Sequence, residues 1–213
     1  VRHAMHDLKP FNLRRAQIVW NSILSAFSWW GMFRTLPLLF ALIRSPPPGS
    51  SDVNSENGFF LSYCGDPSYY GEKGASALMM GMFVFSKVPE LGDTVFIVLQ
   101  KRKLLFLQWY HHITVLLYTW HSYGTRNSAG IWFISMNYTV HAVMYMYFAW
   151  MGVSGLQKDI ALRDLKVGSP EQTLALQSSL RLRQRVMKWA PVVTVMQISQ
   201  MFVGVTIMVL IVW

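Results

Sequence analysis

The sequence predicts an all-α, polytopic transmembrane helix bundle. Three observations carry that prediction: composition, the length of the apolar stretches, and the alternation of basic residues between them. Of 213 residues, 53% are hydrophobic and 14% charged, too apolar for an ordinary soluble domain. Five apolar stretches approach the roughly 20 residues that cross a hydrocarbon core. The formal charge of +9 is gathered in short clusters between those stretches, the pattern of membrane loops rather than of a nucleic-acid-binding face.

The first span is expected over residues 17–43, with Arg34 and Pro37 marking a break or a snorkelling point. A Pro/Ser/Gly/Asp-rich loop follows over residues 45–74, including Pro46-Pro47-Pro48, with too little periodicity for a span. The second span covers residues 75–99, and Gln100-Lys101-Arg102-Lys103 makes a tight turn into the third, 104–120. A turn around Arg126 and Asn127 leads to the fourth, 130–151. A charged segment, 152–188, is expected to hold an amphipathic surface helix near Leu174 to Met187, before a fifth span over 189–213. We expect one membrane-embedded domain over residues 1–213. Val1 is not an initiator Met and Trp213 falls within an apolar run, so the expectation is a fragment of a longer protein without a cleavable signal peptide.

Lys and Arg concentrate in residues 1–16, 100–103 and 152–188, whereas the alternate loops carry only Arg44, Lys73 and Arg126. The basic loops should therefore face the cytosol. At 1.5 Å per residue, His111, Glu90, Asp93, His141, Gln197 and Gln200 all lie roughly 10 to 18 Å in from that side, and Lys87 about 20 Å in. A polar layer shared by four spans predicts an internal cavity open to the cytosol.

Several constellations could serve such a cavity. Lys87, Glu90 and Asp93 form a stripe with Pro89 bending the helix, which suits either a site or a self-compensating ion-pair ladder. Gln108, His111 and His112 stand at i, i+3 and i+4 in an apolar segment. Asn137, His141 and Tyr145 share a face at i, i+4 and i+8, equally compatible with an interhelical hydrogen bond. Gln197 and Gln200 fit packing glue as well as a site. His3, His6 and His121 lie near span ends and receive no role. The single cysteine, Cys64, excludes a disulfide framework within the chain and a Cys-rich metal site.

These motifs carry a resemblance. K-x-x-E-x-x-D-T from Lys87 to Thr94, the box from Gln108 to His112, N-x-x-x-H-x-x-M-Y-x-Y from Asn137 to Tyr147, and T-x-x-Q-x-x-Q from Thr194 to Gln200 together resemble the ELO family of very-long-chain fatty acid elongases. The wording from Trp109 to Tyr118 and from Met136 to Tyr145 is most similar to the subgroup acting on saturated and monounsaturated chains. The resemblance implies a seven-span, multi-pass protein of the endoplasmic reticulum, with one span before Val1 and one after Trp213. It implies condensation of an acyl-CoA with malonyl-CoA to a 3-ketoacyl-CoA, with release of CO2 and CoA, through an acyl-histidine in a ping-pong cycle.

By motif, His111 is the nucleophile, with His112, His141, Asn137, Asp93 and Gln108 in the catalytic set. Lys87, Glu90, Tyr145, Gln197 and Gln200 join the substrate-binding set. Lys101, Arg102 and Lys103, with the cluster from Arg181 to Lys188, suit CoA phosphates, although positive-inside topology explains them equally well. No metal or other cofactor is expected, and NADPH belongs to later steps of the pathway. Reductases, a dehydratase and a second copy of the chain are candidate partners beside the lipid bilayer.

The family's first box histidine is Gln108 here. Gln keeps a hydrogen bond but cannot serve as acid or base near neutral pH, and the site is expected to work with it. A di-iron desaturase or hydroxylase is the main alternative, but it draws on about eight histidines, and only His111, His112 and His141 lie within the spans. A channel or transporter is the other.

Overall fold

A computed structural model describes residues 9–44, 58–65, 74–164 and 170–212. His3, His6, Pro46-Pro47-Pro48, Lys73 and Lys166 lie outside the described residues. All secondary structure among the described residues is helical: α1 Arg14–Arg44, α2 Gly58–Cys64, α3 Gly74–Glu90, α4 Gly92–Leu99, α5 Phe106–Gly124, α6 Gly130–Asp164, α7 Pro170–Met187 and α8 Ala190–Val212. Helix therefore occupies each of the five stretches expected to span. Two segments, Arg14–Arg44 and Pro170–Ile211, are long and apolar enough to cross a membrane by length and composition.

Four boundaries differ from the sequence expectation, each for a local reason. Helix α1 passes through Pro37 without a break, because proline removes one backbone donor while the surrounding turns hold. The 45–74 loop contains α2, seven residues long, too short for helical periodicity to be visible. The second span is two helices that part at Leu91, directly after Pro89. Helix α6 continues to Asp164, through a charged stretch that has no proline and is pinned to α1, where Arg14 donates to the Gly155 carbonyl at 3.0 Å and pairs with Asp159.

Two helix ends close with a residue in the left-handed region. Lys101 (φ 54°) follows α4 and Arg126 (φ 52°) follows α5. In each, the next amide reaches back five residues, Arg102 N to Ile97 O and Asn127 N to Ser122 O, at 3.0 and 2.9 Å, the Schellman arrangement that satisfies orphan carbonyls. Asn127 Oδ1 then accepts from the Ala129 amide at 2.9 Å just ahead of α6.

The described residues fall into two compact units. The first comprises those within Val1–Asn12, Trp30–Tyr138 and Phe202–Trp213. In it α3 packs on α5, where Trp120 Nε1 donates to Val84 O at 3.1 Å. Tyr138, only 1% exposed, donates its hydroxyl to Met79 O at 2.9 Å and meets Phe83 edge-on. Gly31 makes that placement possible, since a Cβ there would stand 2.4 Å from the Tyr138 ring. A second cluster gathers Tyr63, Ala129 and Ile207 with Trp132 and Phe133, and Trp132 Nε1 donates to Ser62 Oγ at 2.9 Å.

The second unit comprises Leu13–Trp29 and Thr139–Met201. Its core is Leu24, Met144, Tyr145 and Val193, with Trp20, Val143 and Tyr147 against them. Ser25 Oγ donates to Ala142 O at 3.0 Å.

The surface of this protein is apolar and part of its interior is polar. Phe85, Leu107, Phe106, Leu117 and Phe202 are exposed, whereas Ser28, Thr35, Ser62, Lys87, Glu90 and Ser154 are buried. Such a distribution is costly in water and natural in lipid, where apolar side chains face hydrocarbon and polar groups must find partners inside. Ser28 and Thr35 do so within α1, donating to carbonyls four residues back at 2.7 and 3.0 Å. The chain is a helical membrane protein.

Gly31→Ala should lower stability by about 1–3 kcal/mol through overpacking against Tyr138. Tyr138→Phe, which removes the hydroxyl that donates to Met79 O, should cost about 1 kcal/mol. Thermal unfolding in detergent micelles measures both, and Tyr138→Leu should rescue part of the Gly31→Ala loss.

Candidate active site

The site is assembled on α3, α5 and the start of α6, all in the first unit. The last two turns of α3 set its centre. Phe83 and Lys87 stand four residues apart, as do Ser86 and Glu90, so each pair shares a face. Lys87 and Glu90 are 3% and 6% exposed, and burial of two charges is tolerable only when both are paired and hydrogen-bonded.

Every donor of the ammonium is used. Lys87 Nζ donates to Glu90 Oε1 at 2.8 Å, to Glu90 Oε2 at 3.0 Å and to Asn137 Oδ1 at 2.8 Å. The same nitrogen stands 4.1 Å from the Phe83 ring centroid, a cation–π contact. Ser86 Oγ approaches Glu90 Oε1 at 3.1 Å. Because Lys87 can only donate, it fixes the Asn137 amide with Oδ1 toward the ammonium, and the NH2 group is left to donate elsewhere.

His111 and His112 follow on α5. Their rings are 5.8 Å apart and nearly perpendicular, at 83°. His111 is exposed and His112 half-buried, both on the helix that packs against α3. Thr114 Oγ1 donates back to the Tyr110 and His111 carbonyls at 2.9 and 3.1 Å. Gln108 is half-buried, one turn before His111 and His112.

The remaining candidates are distributed as follows. Asp93 is half-buried in the first turn of α4, three residues past Glu90 across the turn at Leu91, whose backbone stays right-handed helical (φ −59°, ψ −21°). Lys101, Arg102 and Lys103 are exposed between α4 and α5. His141 is 8% exposed and meets Tyr145 edge-on at 5.2 Å in the second unit. Tyr145, 1% exposed, is part of that unit's apolar core. Gln197 Nε2 approaches Met144 Sδ at 3.0 Å, and Gln200 is half-buried. Cys64 is exposed at the end of α2. The sequence expectation lacked Phe83 and Ser86, which carry no signal of their own although they stand at i, i+4 to Lys87 and Glu90.

The family model described as "ELO: GNS1/SUR4 family" matches residues 1–164. The chain belongs to the ELO family. It is 46% identical over 148 residues to "Very long chain fatty acid elongase 6" of Drosophila melanogaster, covering 70% of this chain and 43% of that protein. It is 42% identical over 195 residues to "Putative fatty acid elongase 3" of Caenorhabditis elegans, 92% of this chain and 53% of the relative. Over 211 residues it is 33% identical to "Fatty acid elongase 3" of Trypanosoma brucei brucei, 94% and 61% of the two chains. The chain thus spans about half the length of the curated relatives it matches. The family match takes in α3 to α6 and every residue of the Lys87 cluster.

Lys87→Met should destabilise the protein by about 3–5 kcal/mol, because Glu90 is left buried without its counter-charge. Adding Glu90→Gln should recover most of that loss, and thermal unfolding of single and double variants in one detergent tests the coupling.

Proposed function

We propose that this chain is the catalytic part of a fatty acid elongase. It condenses a long-chain acyl-CoA with malonyl-CoA to a 3-ketoacyl-CoA, as an acyltransferase of the endoplasmic reticulum membrane with its site open to the cytosol. The observation that carries the reading is the His111–His112 pair on the helix packed against α3, where every donor of the Lys87 ammonium is taken up by Glu90 and Asn137, in a chain whose relatives are named fatty acid elongases.

The chemistry divides into two transfers. A neutral His111 nitrogen attacks the thioester carbon, the C–S bond breaks, and CoA leaves as the thiol once it takes up a proton; the acyl group remains on the imidazole. Malonyl-CoA then loses CO2, and the electron pair released forms a thioester enolate. Its carbon attacks the acyl carbon, the new C–C bond forms, and the C–N bond to His111 breaks, returning the imidazole. The Asn137 amide NH2, turned away from Lys87, suits an enolate or tetrahedral oxyanion, with His112 as a further donor.

Other residues would bind and orient. Lys101, Arg102 and Lys103 suit the CoA phosphates, and the apolar spans suit the acyl tail. Asp93 and Gln108 complete the positioning set of the first unit, with Gln108 holding a neighbour by hydrogen bonding in place of the family histidine. The scheme uses no metal and no nicotinamide. The full protein on this reading has seven spans in one domain, works beside the reductases and dehydratase of the cycle, and is able to form homo-oligomers.

Full-length protein incubated with palmitoyl-CoA alone should gain the mass of one acyl group, and His111→Ala should abolish the gain. An adduct that persists in His111→Ala would move the nucleophile elsewhere. Asn137→Asp keeps an acceptor for Lys87 and removes the NH2 donor; turnover should fall by about 10²–10³-fold, while acyl transfer from palmitoyl-CoA falls less.

A further inference from the structure

The basic cluster that runs from Arg181 to Lys188 in sequence divides in space. Arg183 turns toward α6, where its Nη1 stands 3.3 Å from the position of a Cβ on Gly155. Arg185 and Lys188 instead line an open cleft of about 510 Å³ together with Trp189 and Val192, where α7 gives way to α8. The side chains of Arg185 and Lys188 make no hydrogen bond or ion pair with another described residue, so two cations converge on one cleft without an anion. Trp189 is 57% and Val192 44% exposed. From Val192 an exposed apolar stripe continues along α8 through Val195 and Ile198, at i, i+3 and i+6.

We propose that this cleft is a binding site for an anionic glycerophospholipid. Arg185 and Lys188 hold the headgroup phosphate, the Trp189 ring lies at the level of the interface, and the acyl chains run along Val192, Val195 and Ile198.

Three features select this ligand. Cations without counter-ions at the start of an apolar span sit where anionic headgroups lie, and basic pockets there recruit them. Trp is enriched at that depth because its ring is apolar and its N–H polar. The stripe decides between a lipid and a water-soluble phosphate. A nucleotide or inorganic phosphate would use the two cations and leave the exposed valines and isoleucine unused, whereas a phospholipid covers both. This site lies wholly in the second unit and does not depend on the acyl-transfer scheme.

Native mass spectrometry of the full-length protein released from detergent tests the site without any turnover. The protein is titrated with phosphatidylserine or phosphatidylcholine of the same acyl chains. Phosphatidylserine adducts should form at about tenfold lower lipid concentration. Arg185→Gln/Lys188→Gln should abolish that preference, and Arg185→Lys/Lys188→Arg should retain most of it. Lys158→Gln/Arg163→Gln removes the same charge elsewhere on the second unit and should leave the preference intact. Equal uptake of the two lipids, or a preference that survives the double Gln substitution, would overturn the proposal. Displacement of phosphatidylserine by stoichiometric CoA would overturn it too, because the cleft would then belong to a soluble phosphate ligand.

Discussion

The buried ammonium of Lys87 is the constraint on which the first unit depends. An isolated charge of this kind in a membrane protein's interior would be prohibitive. Here it is matched by a carboxylate one turn away, an amide oxygen on a neighbouring helix and an aromatic face. The cluster leaves no choice of geometry. Glu90 must be bidentate, the Asn137 amide must present its oxygen, and α6 must bring that amide to α3. Buried polar networks contribute specificity when their members are satisfied, and here all three donors of the ammonium are.

Solvent explains the rest of the architecture. In lipid an exposed Phe or Leu costs nothing and an exposed backbone polar group costs several kcal/mol, so the helices run long and their ends are closed with care. Lys101 and Arg126 accept a left-handed backbone to complete Schellman caps. The turn at Leu91 lies between Glu90 and Asp93 and gives α4 its own first turn.

Much of the site was legible before the structure. K-x-x-E at i, i+3 in an apolar helix predicts an ion pair, and His111-His112 in a span announces chemistry, because polar groups there are expensive. Asn137 was recognised by its spacing to His141 rather than by its partner. That partner, Lys87, lies 50 residues away in sequence, and no periodicity connects them. Phe83 and Ser86 carry no signal in the sequence, because an aromatic or a serine in an apolar span ordinarily packs or back-bonds.

The sequence by itself determined the class, most of the helices and which of them carry polar residues, because hydrophobic length and i, i+4 spacing are local quantities. Only the tertiary structure decided which partner each polar group takes. It turned Asn137's oxygen to Lys87, seated Tyr145 in an apolar core, and separated Arg183 from Arg185 and Lys188. The physical reason is the same in each case: burial and hydrogen-bond satisfaction depend on what other helices bring to a residue, and a linear pattern carries that information only within one helix.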